Sequence, residues 1–326
     1  MTLPLESITQ LYRLQLSIVE KITGGFLSEN YTLADGSTKY FLKKHRHVDR
    51  TQVEEVCQAE QFFAQGGVPV ILPVPTLQGD VFFEYEHSYY SLYPFVEGHH
   101  IERGRLTESA AITLGSTLGV LHKQGKESTL PIAEQFNAWD KEKFLSKAAA
   151  VEAEIAKENP LSEFGAMVLD NLRLKKQCVL ENTVTYDQLG LSNDHLIHGD
   201  YFCDNVFFDE YDRLNYVFDF EKTQYAPPMY ELFRSFFVSF LSVPNQENLV
   251  LAKKYVNAYL GVYPFPKETV RNSFTAAYLK QIHSIWIEEE HYLKNSTRPD
   301  SLLPSQFACN QYYVQNRKEI EDHLID

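Results

Sequence analysis

A chain of 326 residues is long enough for two domains or lobes, and 44% hydrophobic residues give it ample core. Its formal net charge of −14 argues against a nucleic-acid partner, whose phosphates need a basic footprint. The same acidity would steer a cationic small molecule toward the chain, although solubility alone also accounts for an acidic surface.

Cys57, Cys178, Cys203 and Cys309 are scattered, with no Cys-x-x-Cys, so neither a zinc site nor a disulfide framework is expected. No run of about 18 apolar residues occurs, so no membrane span is expected. The first 16 residues lack the basic region and continuous apolar run of a signal peptide. A reducing cytoplasmic location is the expectation.

In chain order, residues 17–22 and 31–34 read as strands around a turn, residues 23–30, that contains Gly24, Gly25 and Ser28. The glycines permit close backbone approach and Ser28 offers a hydroxyl, which suits a loop covering phosphates. Asp35-Gly36 is a hairpin signal, followed by a strand over residues 39–44 that ends Leu42-Lys43-Lys44. Successive strand side chains face opposite ways, so only one of these lysines can face a ligand. Residues 53–63 carry a helical apolar spacing closed by Gly66-Gly67, with Glu54, Glu55 and Glu60 along it. Residues 68–75 are Pro-rich, and residues 81–85 and 89–95 read as another strand pair, leading into Phe95-Val96-Glu97-Gly98.

Thr107 caps a helix over residues 107–124 whose stripe is Ala110, Leu114, Leu118 and Leu121, and His122 near its end reads as a packing residue. Residues 140–157 and 161–180 read as two more helices. Pro227-Pro228 opens another that carries Glu231. Further helices are expected over residues 246–260, 267–279 and 282–294. In the last, Glu288-Glu289-Glu290 reads as a solvated acidic face with Trp286 packed inward. The alternative is an aromatic and acidic site for a cation.

The stretch from His198 to Glu221 carries the chemistry. It holds His198-Gly199-Asp200, then Asn205 five residues on, then Asp219-Phe220-Glu221 fourteen residues after the Asn. Two apolar runs, residues 206–208 and 216–218, flank the turn formers of residues 209–213, which makes a hairpin. Folding there would bring Asp200, Asn205 and Asp219 together. Phosphoryl transfer from ATP needs such a set: one carboxylate to orient and deprotonate the attacking hydroxyl, and an amide with a second carboxylate to hold Mg²⁺.

The spacing is that of protein kinases, His-x-Asp, four residues, Asn, then Asp-Phe, but with Gly199 in place of Arg and Glu221 in place of Gly. In these departures the sequence resembles the aminoglycoside phosphotransferase and choline kinase family of small-molecule kinases. The resemblance extends to about Leu232. It implies a bilobal α+β protein-kinase-like fold: an N-terminal antiparallel sheet with one helix over residues 1–95, which binds the nucleotide, and a mainly helical lobe over 96–326. It implies Lys43, following Leu42, as the phosphate-neutralising lysine oriented by Glu60. Ser28 would stand at the phosphate loop, and Phe95 and Val96 at the adenine. Asp200 would be the catalytic base, with Asn205 and Asp219 on Mg²⁺. ATP is the implied donor and a small hydroxyl compound of the aminoglycoside, choline, homoserine or sugar class the acceptor. Gly199 and the short segment after Asp219 speak against a protein kinase, and the full set of four polar groups against an inactive nucleotide-binding module.

Overall fold

The computed structural model describes residues 5–22, 28–45 and 49–326. The predicted phosphate-covering turn with Gly24 and Gly25 lies outside the described residues, as does the side chain of Ser28. The fold is a bilobal α+β arrangement. Its smaller part opens with a short helix, α1 (Leu5–Tyr12), which the sequence analysis does not assign. Leu5, Ile8 and Tyr12 recur at helical spacing, and Ile8 is buried with Leu33, Leu42 and Leu92 against one face of the sheet.

That sheet is antiparallel, with β1 (Ser17–Ile22), β2 (Ser28–Asp35), β3 (Thr38–His45), β4 (Phe83–Tyr85) and β5 (Ser88–Pro94) in the order β1-β2-β3-β5-β4. The β2–β3 register closes at Asp35 and Thr38 around Gly36, whose φ of +57° suits a tight hairpin. Between β3 and β4 runs α2 (Arg50–Gln65), started by a capping box in which Asp49 and Gln52 satisfy one another's backbone N–H. Its inner face does not join the small core. Val56, Ala59 and Phe63 belong to the large core, and Phe63 stacks on Phe220 with ring centres 5.6 Å apart.

The larger part contains α3 (Glu108–Gly125), α4 (Lys141–Ile155), α5 (Glu163–Glu181), β6 (His195–Ile197), β7 (Val206–Phe208), β8 (Leu214–Val217), β9 (Gln224–Ala226), α6 (Pro228–Ser239), α7 (Gln246–Val262), α8 (Lys267–Ile282), α9 (Trp286–Lys294) and α10 (Leu303–Ile325). Thr107, Asp140, Ser162 and Asn245 cap α3, α4, α5 and α7 with side-chain oxygens. A methyl group on Gly115 would stand 2.2 Å from the Tyr255 carbonyl, so this glycine sets how closely α3 and α7 cross. β7 and β8 form the predicted hairpin, and Asp209 Oδ1 accepts from Tyr211 N and Arg213 N at its turn. Short β6 and β9 pair antiparallel beside it. No helix among the described residues is long and apolar enough to cross a membrane.

The last predicted helix needs correction. The chain breaks at residues 283–285, and the new start at Trp286 rotates the face of α9. Glu288 is buried and Trp286 is 38% exposed, the reverse of the expected arrangement. Burial of Glu288 is tolerated because Asn171 Nδ2 donates to its Oε1 at 2.7 Å.

Phe63→Ala should remove the ring that couples α2 to the large core. Its expected cost is about 3–5 kcal/mol, read as a shift in the denaturant midpoint at constant m.

Candidate active site

Asp200 sits in a loop that other groups hold rigidly. Glu231, buried on α6, accepts hydrogen bonds from the backbone N–H of His198 (3.0 Å) and of Tyr201 (3.2 Å). Its Oε2 also lies 3.0 Å from His122 Nε2, and the other nitrogen of His122 meets Tyr259 Oη at 3.0 Å. Burial pushes the Glu231 carboxyl up, but His122 and the loop outweigh it and hold it below the usual glutamate value. His122 therefore acts through packing and hydrogen bonding, as expected.

The replacement of Arg by Gly199 now has a physical reason. Its φ is +82°, and a Cβ there would lie 1.8 Å from the Lys222 carbonyl oxygen. The His198 ring is fixed by the Asp200 N–H, which donates to Nδ1 at 3.2 Å, so Nε2–H donates to the Phe218 carbonyl at 2.9 Å. The loop and the strand end are thus tied back to back. Phe218 N donates to the Asn205 carbonyl at 3.1 Å, which sets Asn205 beside the residue preceding Asp219.

The structure brings Lys43, Glu60, Phe95, Val96, Asp200, Asn205 and Asp219 to the wall of one cavity of about 1480 Å³ between sheet and helices. Lys43 points into it, while Lys44, one residue on, lies over the Tyr90 ring. Lys43 Nζ donates to Asp219 Oδ1 at 2.9 Å and pairs with Glu221 Oε1 at 2.7 Å. Burial lowers the Lys43 ammonium, but these two carboxylates overcome it and raise it well above its ordinary value.

The expected pairing of Lys43 with Glu60 is not the one adopted. Glu60 is buried and accepts from Tyr93 Oη at 3.1 Å, and Glu221 has taken the lysine. Burial, only partly offset by Lys43, pushes the Glu60 carboxyl up to about 8. Asp219 has a left-handed backbone, φ +67° and ψ 60°, a strain of the kind that collects at working sites.

Asn205 Nδ2 donates to the Asp200 carbonyl at 2.8 Å, which leaves Oδ1 as the amide's acceptor. With Lys43 on Asp219 Oδ1, Asp219 Oδ2 is a further carboxylate oxygen. One amide and one carboxylate oxygen suit Mg²⁺, which takes few protein ligands and keeps its waters. Among the described residues no group of three or more His, Cys, Asp or Glu is arranged to hold a metal ion.

Two site residues escaped sequence reading. Lys222 Nζ donates to Asp200 Oδ2 at 2.8 Å, and Arg234 Nη2 donates to Oδ1. Burial pushes the Asp200 carboxyl up, but the Arg234 and Lys222 charges outweigh it and hold it below the usual aspartate range. The one signal was an arginine among Phe233, Phe236 and Phe237 on a helix face that is otherwise core. Lys222 gave no signal beyond its place after Glu221.

Glu231→Gln would turn an amide N–H₂ toward the backbone N–H of either His198 or Tyr201. We expect a loss of about 1–3 kcal/mol in unfolding free energy, with turnover falling more than nucleotide affinity. Glu60 gives a pH signature. Its folded carboxyl is raised from 4.5 to about 8, so its contribution favours the fold below pH 4.5 and is lost as pH rises toward 8. Denaturant melts across that window should show the decline in the wild type and a flatter profile in Glu60→Gln.

No curated protein matches the chain. Among solved structures, the fold is shared with a spectinomycin phosphotransferase, APH(9)-Ia, in complex with ADP and spectinomycin, at 17% identity, TM-score 0.63, covering 94% of this chain and 97% of that one. It is shared with a microcompartment-associated aminopropanol kinase at 17% identity, TM-score 0.64, covering 98% of each chain. It is also shared with choline kinase from Cryptosporidium parvum at 10% identity, TM-score 0.58, covering 95% of this chain and 91% of that one. The profile of the phosphotransferase enzyme family matches residues 18–268, from β1 through α7 to the start of α8, a span that includes Lys43, Asp200, Asn205 and Asp219. The chain belongs to the phosphotransferase enzyme family.

Proposed function

We propose that the chain is an ATP-dependent kinase that transfers the γ-phosphoryl group to a hydroxyl of a small molecule. The observation that supports this most is the convergence of Lys43, Asp200, Asn205 and Asp219 on one cavity, from β3, the loop after β6 and the end of the β7–β8 hairpin. The structural relatives act on spectinomycin, aminopropanol and choline, all hydroxyl compounds, and one of them holds ADP.

In this reading residues 1–95 bind the nucleotide and residues 96–326 bind the acceptor. Lys43 neutralises the phosphates once ATP competes for it with Asp219 and Glu221. Glu60 stands in reserve as the lysine's partner when Glu221 is displaced. Phe95 N–H is already used by the Lys39 carbonyl at 3.3 Å, so the N–H that meets the adenine edge is assigned to Val96. Ser28 keeps its proposed place at the phosphate loop. Asn205 and Asp219 hold Mg²⁺, which when bound supplies charge neutralisation of the phosphates.

Asp200 orients the acceptor hydroxyl. The acceptor oxygen forms a bond to the γ-phosphorus, the bond from that phosphorus to the β-phosphate oxygen breaks, ADP leaves, and the hydroxyl proton passes to Asp200. A carboxylate held low by two cations is a weak base, so the proton moves late, as fits a loose phosphoryl-transfer transition state. A cytoplasmic location goes with this reading, since ATP is supplied there and four free thiols stay reduced.

A protein substrate is less favoured. Only a single helical turn, residues 220–222, and β9 separate Asp219 from α6, which leaves no extended segment to seat a peptide.

ADP release should depend on both Mg²⁺ and an added hydroxyl compound, and EDTA should abolish it. Asp200→Asn should lower kcat by about 10²–10⁴-fold with the KM for ATP nearly unchanged. Undiminished turnover in that variant would remove Asp200 from the chemistry, and failure to bind Mg·ATP would remove the kinase reading itself.

A further inference from the structure

The cavity wall beyond Asp200 carries several cations, with Asp140 and Glu290 also on the lining, in a chain whose net charge is −14. Arg234, Lys222 and Lys280 all line it. One carboxylate, Asp200, answers the first two. Arg103, on the same wall, is matched by Asp204 at 2.7 Å and adds no excess. Glu231 lies near Arg234 but is committed to His122 and two backbone N–H groups.

Lys280 on α8 faces no carboxylate. Its Nζ donates to the Asn137 carbonyl and stands 4.4 Å from the Phe136 ring centre and 5.4 Å from that of Tyr230. Arg234 Nη1, one turn of α6 from Tyr230, is buried with no hydrogen-bond partner. Arg234, Lys280 and Tyr230 line the same cavity, and the Phe136 ring packs against Tyr230 with ring centres 4.9 Å apart.

We propose that the acceptor carries an oxyanion, a carboxylate or a phosphate monoester, bound by Arg234 and Lys280 so that its hydroxyl lies at Asp200. This rests on the kinase reading and narrows it to hydroxy acids or phosphorylated alcohols. It reverses the cationic acceptor suggested by overall charge, because the field that a bound group meets is set by the nearest charges in a low-dielectric cavity and not by the distant surface. An amine on the acceptor would meet two like charges. An oxyanion gives Lys280 its missing counter-charge, with the Arg234 guanidinium on the same wall. Burial and the nearby Arg234 push the Lys280 ammonium down to about 8, and a bound anion would restore its proton. Phe136 and Tyr230 favour an acceptor with an apolar or aromatic body behind the anion.

The test is equilibrium binding by calorimetry to the Mg·ADP-loaded full chain. The probes are matched sets sharing one carbon skeleton: a hydroxy acid, its phosphate monoester with one hydroxyl left free, the neutral diol and the amino alcohol, each in an aliphatic and an aromatic version. The anionic members should bind best, and comparing acid with monoester tells which oxyanion is preferred. Lys280→Met should weaken the anionic members about tenfold or more and leave the diol unchanged. Lys280→Glu should shift the preference to the amino alcohol. Arg234 is not used as the test position, because it also holds Asp200. Diols or amino alcohols binding as tightly as the anions, or anion binding indifferent to Lys280→Met, would overturn the inference. Mg·ADP binding to the same preparations, measured first, is the separate test of the kinase reading.

Discussion

With Phe220 driven into the core between Phe63 and His198, its neighbours are left little choice of direction. Asp219 turns through a left-handed backbone and meets Lys43 from the sheet, Glu221 meets Lys43 and His45, and Lys222 reaches back to Asp200. The Lys222 carbonyl fills the space where Gly199 would otherwise carry a Cβ. Four consecutive residues, Asp219 to Lys222, thus connect the sheet, α2, the Asp200 loop and the helical core. The ring supplies the apolar driving force, and the charges settle where that burial leaves them.

The polar groups around this ring are matched with unusual completeness on one side of the cavity and incompletely on the other. Glu231 satisfies a histidine and two backbone N–H groups, and His198 satisfies one donor and one acceptor. Toward the nucleotide side, Lys43 has two carboxylates at once and Glu60 is left neutralised by burial. That arrangement fits a lysine whose anionic ligand is a phosphate: Glu221 and Asp219 hold it in place and each can be relieved when phosphate arrives. On the side of α8, Lys280 stands over the Phe136 and Tyr230 rings with no carboxylate of the described residues in ion-pair range.

Much of this was legible in the residues. Spacing alone joins Asp200, Asn205 and Asp219, because a loop and a two-stranded hairpin have fixed reach and the alternation of β3 separates Lys43 from Lys44. Caps at Thr107 and Asp140 mark helix starts, since a short oxygen-bearing side chain satisfies the free N–H groups there wherever it occurs. Less legible were features that depend on phase or on distant partners. The break before α9 rotates Trp286 outward and Glu288 inward, and no local signal tells a helical pattern over residues 282–294 that it restarts.

The sequence by itself determined the fold class, the order of elements apart from α1 and α10, and Lys43, Asp200, Asn205 and Asp219 at the cavity, because these follow from local periodicity and from groups a few residues apart. Tertiary structure decided the partners. Lys43 chose Glu221 over Glu60, and Asp200 acquired Lys222 and Arg234. It also brought Lys222, Arg234 and Lys280, far apart in the chain, onto the wall of one cavity. Charge pairing acts over a few ångströms between residues separated by tens of positions, and in a low-dielectric cavity those nearest neighbours outweigh the sum of all the rest.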